Sequence, residues 1–143
     1  MLIGVAITFL SACGGSDGRG SEASRTQPAR ALPACAEKSP AVAGPSGLPR
    51  DFPLPPGTRI TTARRLSPSQ LLIAGVIPAD LQDTAGFFGD SLPDHGYQVG
   101  VGDAESGEAE APFTGNGFRG RWRINEIPDC PALRLTLILI KQS

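Results

Sequence analysis

The chain has 143 residues, with 13 basic and 14 acidic side chains, a formal net charge of −1, one histidine and three cysteines. Balanced charge argues against a nucleic-acid binder, which carries a basic excess over its whole domain, and a single histidine excludes metal sites built from several. The 18 glycines and 14 prolines, about a fifth of the chain, signal irregular segments around one modest core.

The first feature is the apolar run Leu2-Ile3-Gly4-Val5-Ala6-Ile7-Thr8-Phe9-Leu10. It is too short for a bilayer-spanning helix, which needs about 20 residues, and has the length of a signal-peptide apolar region. No Lys or Arg precedes it, so either the amino group of Met1 supplies the usual positive charge or further residues come before it. Leu10-Ser11-Ala12-Cys13-Gly14 then resembles the lipobox of bacterial lipoproteins. The resemblance implies alkylation of the Cys13 thiol by a diacylglycerol and cleavage between Ala12 and Cys13. Small side chains at 11 and 12 let the peptidase reach the backbone, and Leu10 fills an apolar pocket. Residues 1–12 are thus expected to be a signal peptide. The mature chain is expected outside the cytoplasm, in the cell envelope, held to a membrane by lipid on Cys13. No later segment is a transmembrane candidate; the apolar run at 135–140 is far too short.

Residues 13–34 read as a flexible tether of Gly, Ser, Ala, Arg, Thr and Pro, with Leu32 its one large apolar side chain. About 20 such residues span roughly 25 Å root-mean-square. Residues 35–57 form a proline-rich arm that carries Val42, Leu48, Phe52 and Leu54. Cys35 and Cys130 stand 95 residues apart, with neither the C-x-x-C spacing nor the nearby histidine of a redox or metal pair. In an exported chain the pair reads as a disulfide, which stabilises by about 4–5 kcal/mol on the chain-entropy account.

Residues 58–143 read as an α+β domain in the order β-β-α-β-β-β, a sheet of about five antiparallel strands with one helix on one face. Strands at 58–66 and 70–77 flank the turn Ser67-Pro68-Ser69. Asp80 is the expected N-cap of a helix whose apolar face is Leu81, Ala85, Phe88 and Leu92. Pro93 and Gly96 end it. Tyr97, Val99 and Val101 alternate as a third strand, 103–111 is an acidic loop, 113–127 is a fourth strand, and Leu133, Leu135, Leu137 and Leu139 mark the fifth. Phe52-Pro53-Leu54-Pro55-Pro56-Gly57, Phe87-Phe88…Leu92…Gly96-Tyr97 and the cysteine before the last strand resemble a broad class of small bacterial exported domains of unassigned function, across residues 52–140. The resemblance implies a helix packed on an antiparallel sheet and brings no catalytic residues.

Chemistry-bearing motifs are few. His95 sits at the helix end, where it favours the dipole. Ser46 in Pro45-Ser46-Gly47 lies in the arm and forms no G-x-S-x-G elbow. The acids Asp80, Asp83, Asp90, Asp94, Asp103, Glu105, Glu108 and Glu110 read as a solvated helix face and loop, and 103–110 lacks EF-hand ligand spacing. No catalytic residue, metal site or cofactor is expected. Arg119, Arg121 and Arg123 alternate with Gly120, Trp122 and Ile124, so the arginines share one strand face, opposite Trp122. They read as a solvated face or as contacts to anionic headgroups or an acidic partner. Strands 70–77 and 133–140 are apolar on both faces, which demands cover on both sides. One helix covers one. The arm, laid across the other by the disulfide, a second subunit or an external partner must cover the second, which makes Ile138 and Ile140 interface candidates. The function expected is a non-enzymatic binding or accessory module for an envelope protein partner or ligand. The alternatives are a carrier of an apolar ligand held between helix and sheet, and a carboxylate-based hydrolase.

Overall fold

A computed structural model describes residues 29–42 and 47–143. The expected signal peptide, Cys13, most of the tether and Ser46 lie outside the described residues. From Arg59 onward the chain builds one antiparallel sheet with a helix on one face, an α+β fold. A one-turn helix, α1 (Ala34–Glu37), precedes β1 (Arg59–Ser67) and β2 (Gln70–Ile77). Helix α2 (Leu81–Asp94) follows, then β3 (Tyr97–Val99), β4 (Asp103–Glu105), β5 (Glu108–Gly115), β6 (Phe118–Ile127) and β7 (Cys130–Lys141). The strand order is β1-β2-β7-β6-β5-β3, with β4 following β3 along the same edge of β5.

Seven strands replace the expected five, for two physical reasons. The stretch 113–127 folds back on itself at Asn116-Gly117, whose φ values of 50° and 76° are the two positive values that a type I′ hairpin turn requires. The acidic stretch 103–111 pairs as β4 and β5 instead of looping. Its inward side chains are Ala109 and Ala111, so the strand carries no large apolar alternation. Ala111 lies opposite Trp122, whose indole stacks on Phe88 with ring centroids 5.0 Å apart. Small residues beside the indole are what that stack needs. The third strand also stops early. Val101 is 96% exposed: between the pairs Val99–Phe113 and Asp103–Glu110 this strand has one residue more than β5, and while Gly100 N–H still bonds the Pro112 carbonyl at 2.9 Å and Gly102 lies close to the Glu110 carbonyl, the Val101 side chain points to solvent.

Helix α2 begins as expected. The Asp80 carboxylate accepts a hydrogen bond from the Asp83 amide at 2.8 Å, and the buried Thr84 hydroxyl donates to the Asp80 carbonyl at 2.8 Å. Thr84, Phe88 and Leu92 are buried against the sheet. They meet a face made of Leu71, Ile73 and Ile77 from β2, Leu133, Leu135, Leu137 and Leu139 from β7, Trp122 and Ile124 from β6, and Phe113 from β5.

The proline-rich arm lies on this same face, not on the opposite one as expected. Gly47 sits against Leu71, and Leu48 and Leu54 pack on the main core. Phe52 closes an aromatic cluster with Tyr97 and Phe113, at centroid distances of 5.3 Å to each, while Tyr97 and Phe113 are 5.6 Å apart. A 14-residue helix is about 21 Å long. It leaves the row through Leu71, Leu139 and Phe113 for the arm to fill. The disulfide Cys35–Cys130, Cα–Cα 5.9 Å, does something different: it fixes α1 on the second face. There Leu32 and Ala36 cover Val76, Ala132 and Ile127. Arg30 and Leu32, tether residues by composition, are thus docked, with Arg30 3.8 Å from Asp80 and 3.9 Å from Asp83.

Phe52→Ala should destabilise the domain by about 3–5 kcal/mol, the usual cost of truncating a buried Phe. Urea unfolding measures this, and a variant as stable as the parent would contradict the arm's place in the core.

Candidate functional surface

Residues on adjacent antiparallel strands that pair directly point to the same side of the sheet, so the register draws the second face row by row. One row runs Gln70, Ile140, Arg119, Thr114. The next runs Arg64, Leu72, Ile138, Arg121, Pro112. The third runs Thr62, Ala74, Thr136, Arg123, Glu110, Asp103, and the last Arg59, Val76, Arg134, Asn125, Glu108, Glu105. The three arginines of β6 therefore share this face with Ile138 and Ile140, and Trp122 is buried on the other side.

The arginines are not equivalent. Glu110, its side chain 14% exposed, is clamped between two of them. Arg121 Nη1 bonds one carboxylate oxygen, and Arg123 reaches the other through Nε at 2.7 Å and Nη2 at 2.6 Å. Arg123 also lies 3.5 Å from Glu108, which accepts a bond from Asn125. The hydrogen bond from Arg123, helped by the charges of both guanidiniums, holds the Glu110 carboxyl below its ordinary range against the opposing effect of partial burial. Arg119 and Arg64 are exposed and have no acidic partner among the described residues. The sequence signal for the clamp is the Glu108-Ala109-Glu110-Ala111 alternation, inside the stretch expected to be a loop.

Leu72, Ala74, Ile138 and Ile140 remain partly exposed and belong to neither of the two hydrophobic clusters. The second face is therefore covered at one corner, by α1, and carries an uncovered apolar strip at its centre, among the described residues.

Elsewhere the groups serve the fold. His95 Nδ1 lies 2.8 Å from the Ser91 carbonyl, which can only accept, so that nitrogen carries the proton; the Asn116 amide in turn donates to the His95 carbonyl at 2.8 Å. The histidine thus finishes the helix and ties it to the β5–β6 turn. Among the described residues no three His, Cys, Asp or Glu side chains converge as metal ligands do. A shallow cavity of about 220 Å³ lies between Gly47, Arg65, Leu71, Phe118 and Lys141, at the end of the sheet and away from the helix. No described helix is long and apolar enough to cross a membrane. Comparison with known proteins finds no family model, no curated relative and no solved structure that matches the chain.

Glu110→Gln should lower stability at neutral pH and lose that effect in acid. The folded-state carboxyl is held below its unfolded value, so its contribution is present above the ordinary glutamate range and fades as pH falls through the folded pKa. Urea unfolding of both proteins across this range checks the sign; a gap that persists or widens in acid would contradict the clamp.

Proposed function

We propose that the chain is a lipid-anchored protein of a bacterial cell envelope, held at the membrane through Cys13, and that its α+β domain is a non-enzymatic binding or accessory module. The observation that carries the anchor is Leu10-Ser11-Ala12-Cys13 directly after a short apolar run. The Cys35–Cys130 disulfide supports export, because such bonds persist in oxidising compartments.

Support for a binding role comes from how the reactive groups are used. The one histidine of the chain caps a helix, and Glu110 is held ionised by two guanidiniums, which takes it out of proton exchange near neutral pH. A hydrolase built on carboxylates needs two acids free to face a substrate, and Glu108 and Glu110 are engaged by Asn125, Arg121 and Arg123. A carrier needs space between helix and sheet, and there Phe88, Leu92 and Trp122 pack against one another's neighbours. The second sheet face, by contrast, offers exposed arginines beside uncovered apolar side chains, which suits a partner surface.

Expressed in a bacterial host, the parent chain should fractionate with membranes as a detergent-dependent, cleaved species. Cys13→Ser should be released or should keep residues 1–12 uncut. A Cys13→Ser protein that is still cleaved and still needs detergent would overturn the anchor.

A further inference from the structure

We infer that the end of the second sheet face that carries Arg64 and Arg119 around Leu72, Ile138 and Ile140, with the Glu110-paired Arg121 at its border, docks on an anionic phospholipid surface. This deepens the anchored reading above by naming the surface that the binding module meets. The charge pattern carries it. The first two rows of the face hold Arg64, Arg119 and Arg121 and no acid, whereas all four acids of the face, Asp103, Glu105, Glu108 and Glu110, lie in the last two rows beside Arg59, Arg123 and Arg134. The remaining acids of the helix, Asp80, Asp83, Asp90 and Asp94, stand on the other side of the sheet. On a chain of net charge −1 the first two rows of this face are thus a positive end, and an anionic plane turns that end toward itself.

The chemistry fits a headgroup layer. Guanidinium donates in a fork that matches phosphate oxygens, and among the described residues Arg64 and Arg119 have no acidic partner to give up first. Leu72, Ile138 and Ile140 lie between them, partly exposed and outside both cores, and apolar side chains beside basic ones suit the boundary between headgroups and acyl chains. A second copy fits less well. A twofold contact centred here would bring Arg64 and Arg119 from both chains together, with no acid in the first two rows to offset them.

The test uses the chain from residue 13 onward carrying Cys13→Ser, so that no lipid anchor contributes, and vesicles of phosphatidylcholine with or without one third phosphatidylglycerol. The unlipidated chain should float with the anionic vesicles, not with the neutral ones, and should detach as salt rises above about 0.1 M. Arg64→Ala with Arg119→Ala should weaken binding by about fivefold for each arginine removed, at an unchanged unfolding midpoint. Lys38→Ala with Arg50→Ala, an equal loss of charge elsewhere, should leave binding intact. No binding to anionic vesicles, equal binding to neutral ones, or equal loss from both double variants would overturn the inference. So would Arg64- and Arg119-dependent capture of polyglutamate without vesicle binding, or a dimer in sedimentation that Ile138→Glu dissolves. Each of these outcomes leaves the Cys13 fractionation result standing on its own.

Discussion

A central strand that is apolar on both sides needs both sides covered, and the described residues of this chain cover one side and a corner of the other. β7 sets that condition. It pairs along its length with β2 and β6, puts four leucines under the helix and arm, and turns Thr136, Ile138 and Ile140 outward. The inner face is closed by two separate devices. Helix α2 brings Phe88 onto Trp122, and the arm brings Phe52 onto Tyr97 and Phe113. Two buried polar atoms, Tyr97 Oη and Trp122 Nε1, have no hydrogen-bond partner among the described residues. Each costs about 1–3 kcal/mol, which the aromatic packing around them has to outweigh.

The disulfide belongs to the other face. By joining Cys35 to the first residue of β7 it holds α1 over Val76 and Ala132, a contact with too few apolar side chains to persist on its own. The middle of that face stays open among the described residues. The ion pairs then divide what remains. Glu110 neutralises Arg121 and Arg123 where the acidic edge of β4 and β5 begins, and the arginines beyond its reach stand beside the apolar strip. The result is a face graded from acidic to basic along the strands, on a molecule whose total charge is close to zero.

Much of this was legible in the sequence where one force dominates. The Asp80 cap, the Leu81-Ala85-Phe88-Leu92 helix face, the Pro68-Ser69 turn and the opposition of Trp122 to the arginines follow from local periodicity, and the disulfide from cysteine arithmetic. Reading failed where tertiary packing overrides local pattern. Ala111 faces inward opposite the stacked Trp122 and Ala109 opposite Ile124, and two alanines between glutamates give no apolar strand signal, so from sequence alone β5 reads as a solvated acidic loop. Asn116-Gly117 is a strong hairpin signal, masked by its place inside a long stretch of strand-like composition. The arm's side of the sheet could not be read from the disulfide, because Cys35 and Phe52 are far enough apart in sequence to reach opposite faces. The Glu110 clamp needs the β5–β6 register, which no single segment encodes.

The central claim is that β7 separates a closed core from an open surface, and neighbouring residues test it directly. Leu137 and Ile138 point to opposite faces of the same strand. Leu137→Glu buries a charge in the core and should cost several kcal/mol or abolish folding. Ile138→Glu should fold and unfold cooperatively in urea within about 1 kcal/mol of the parent. An Ile138→Glu protein as disrupted as Leu137→Glu would show that the second face is closed in the folded chain, and would contradict the account of an open surface built on it.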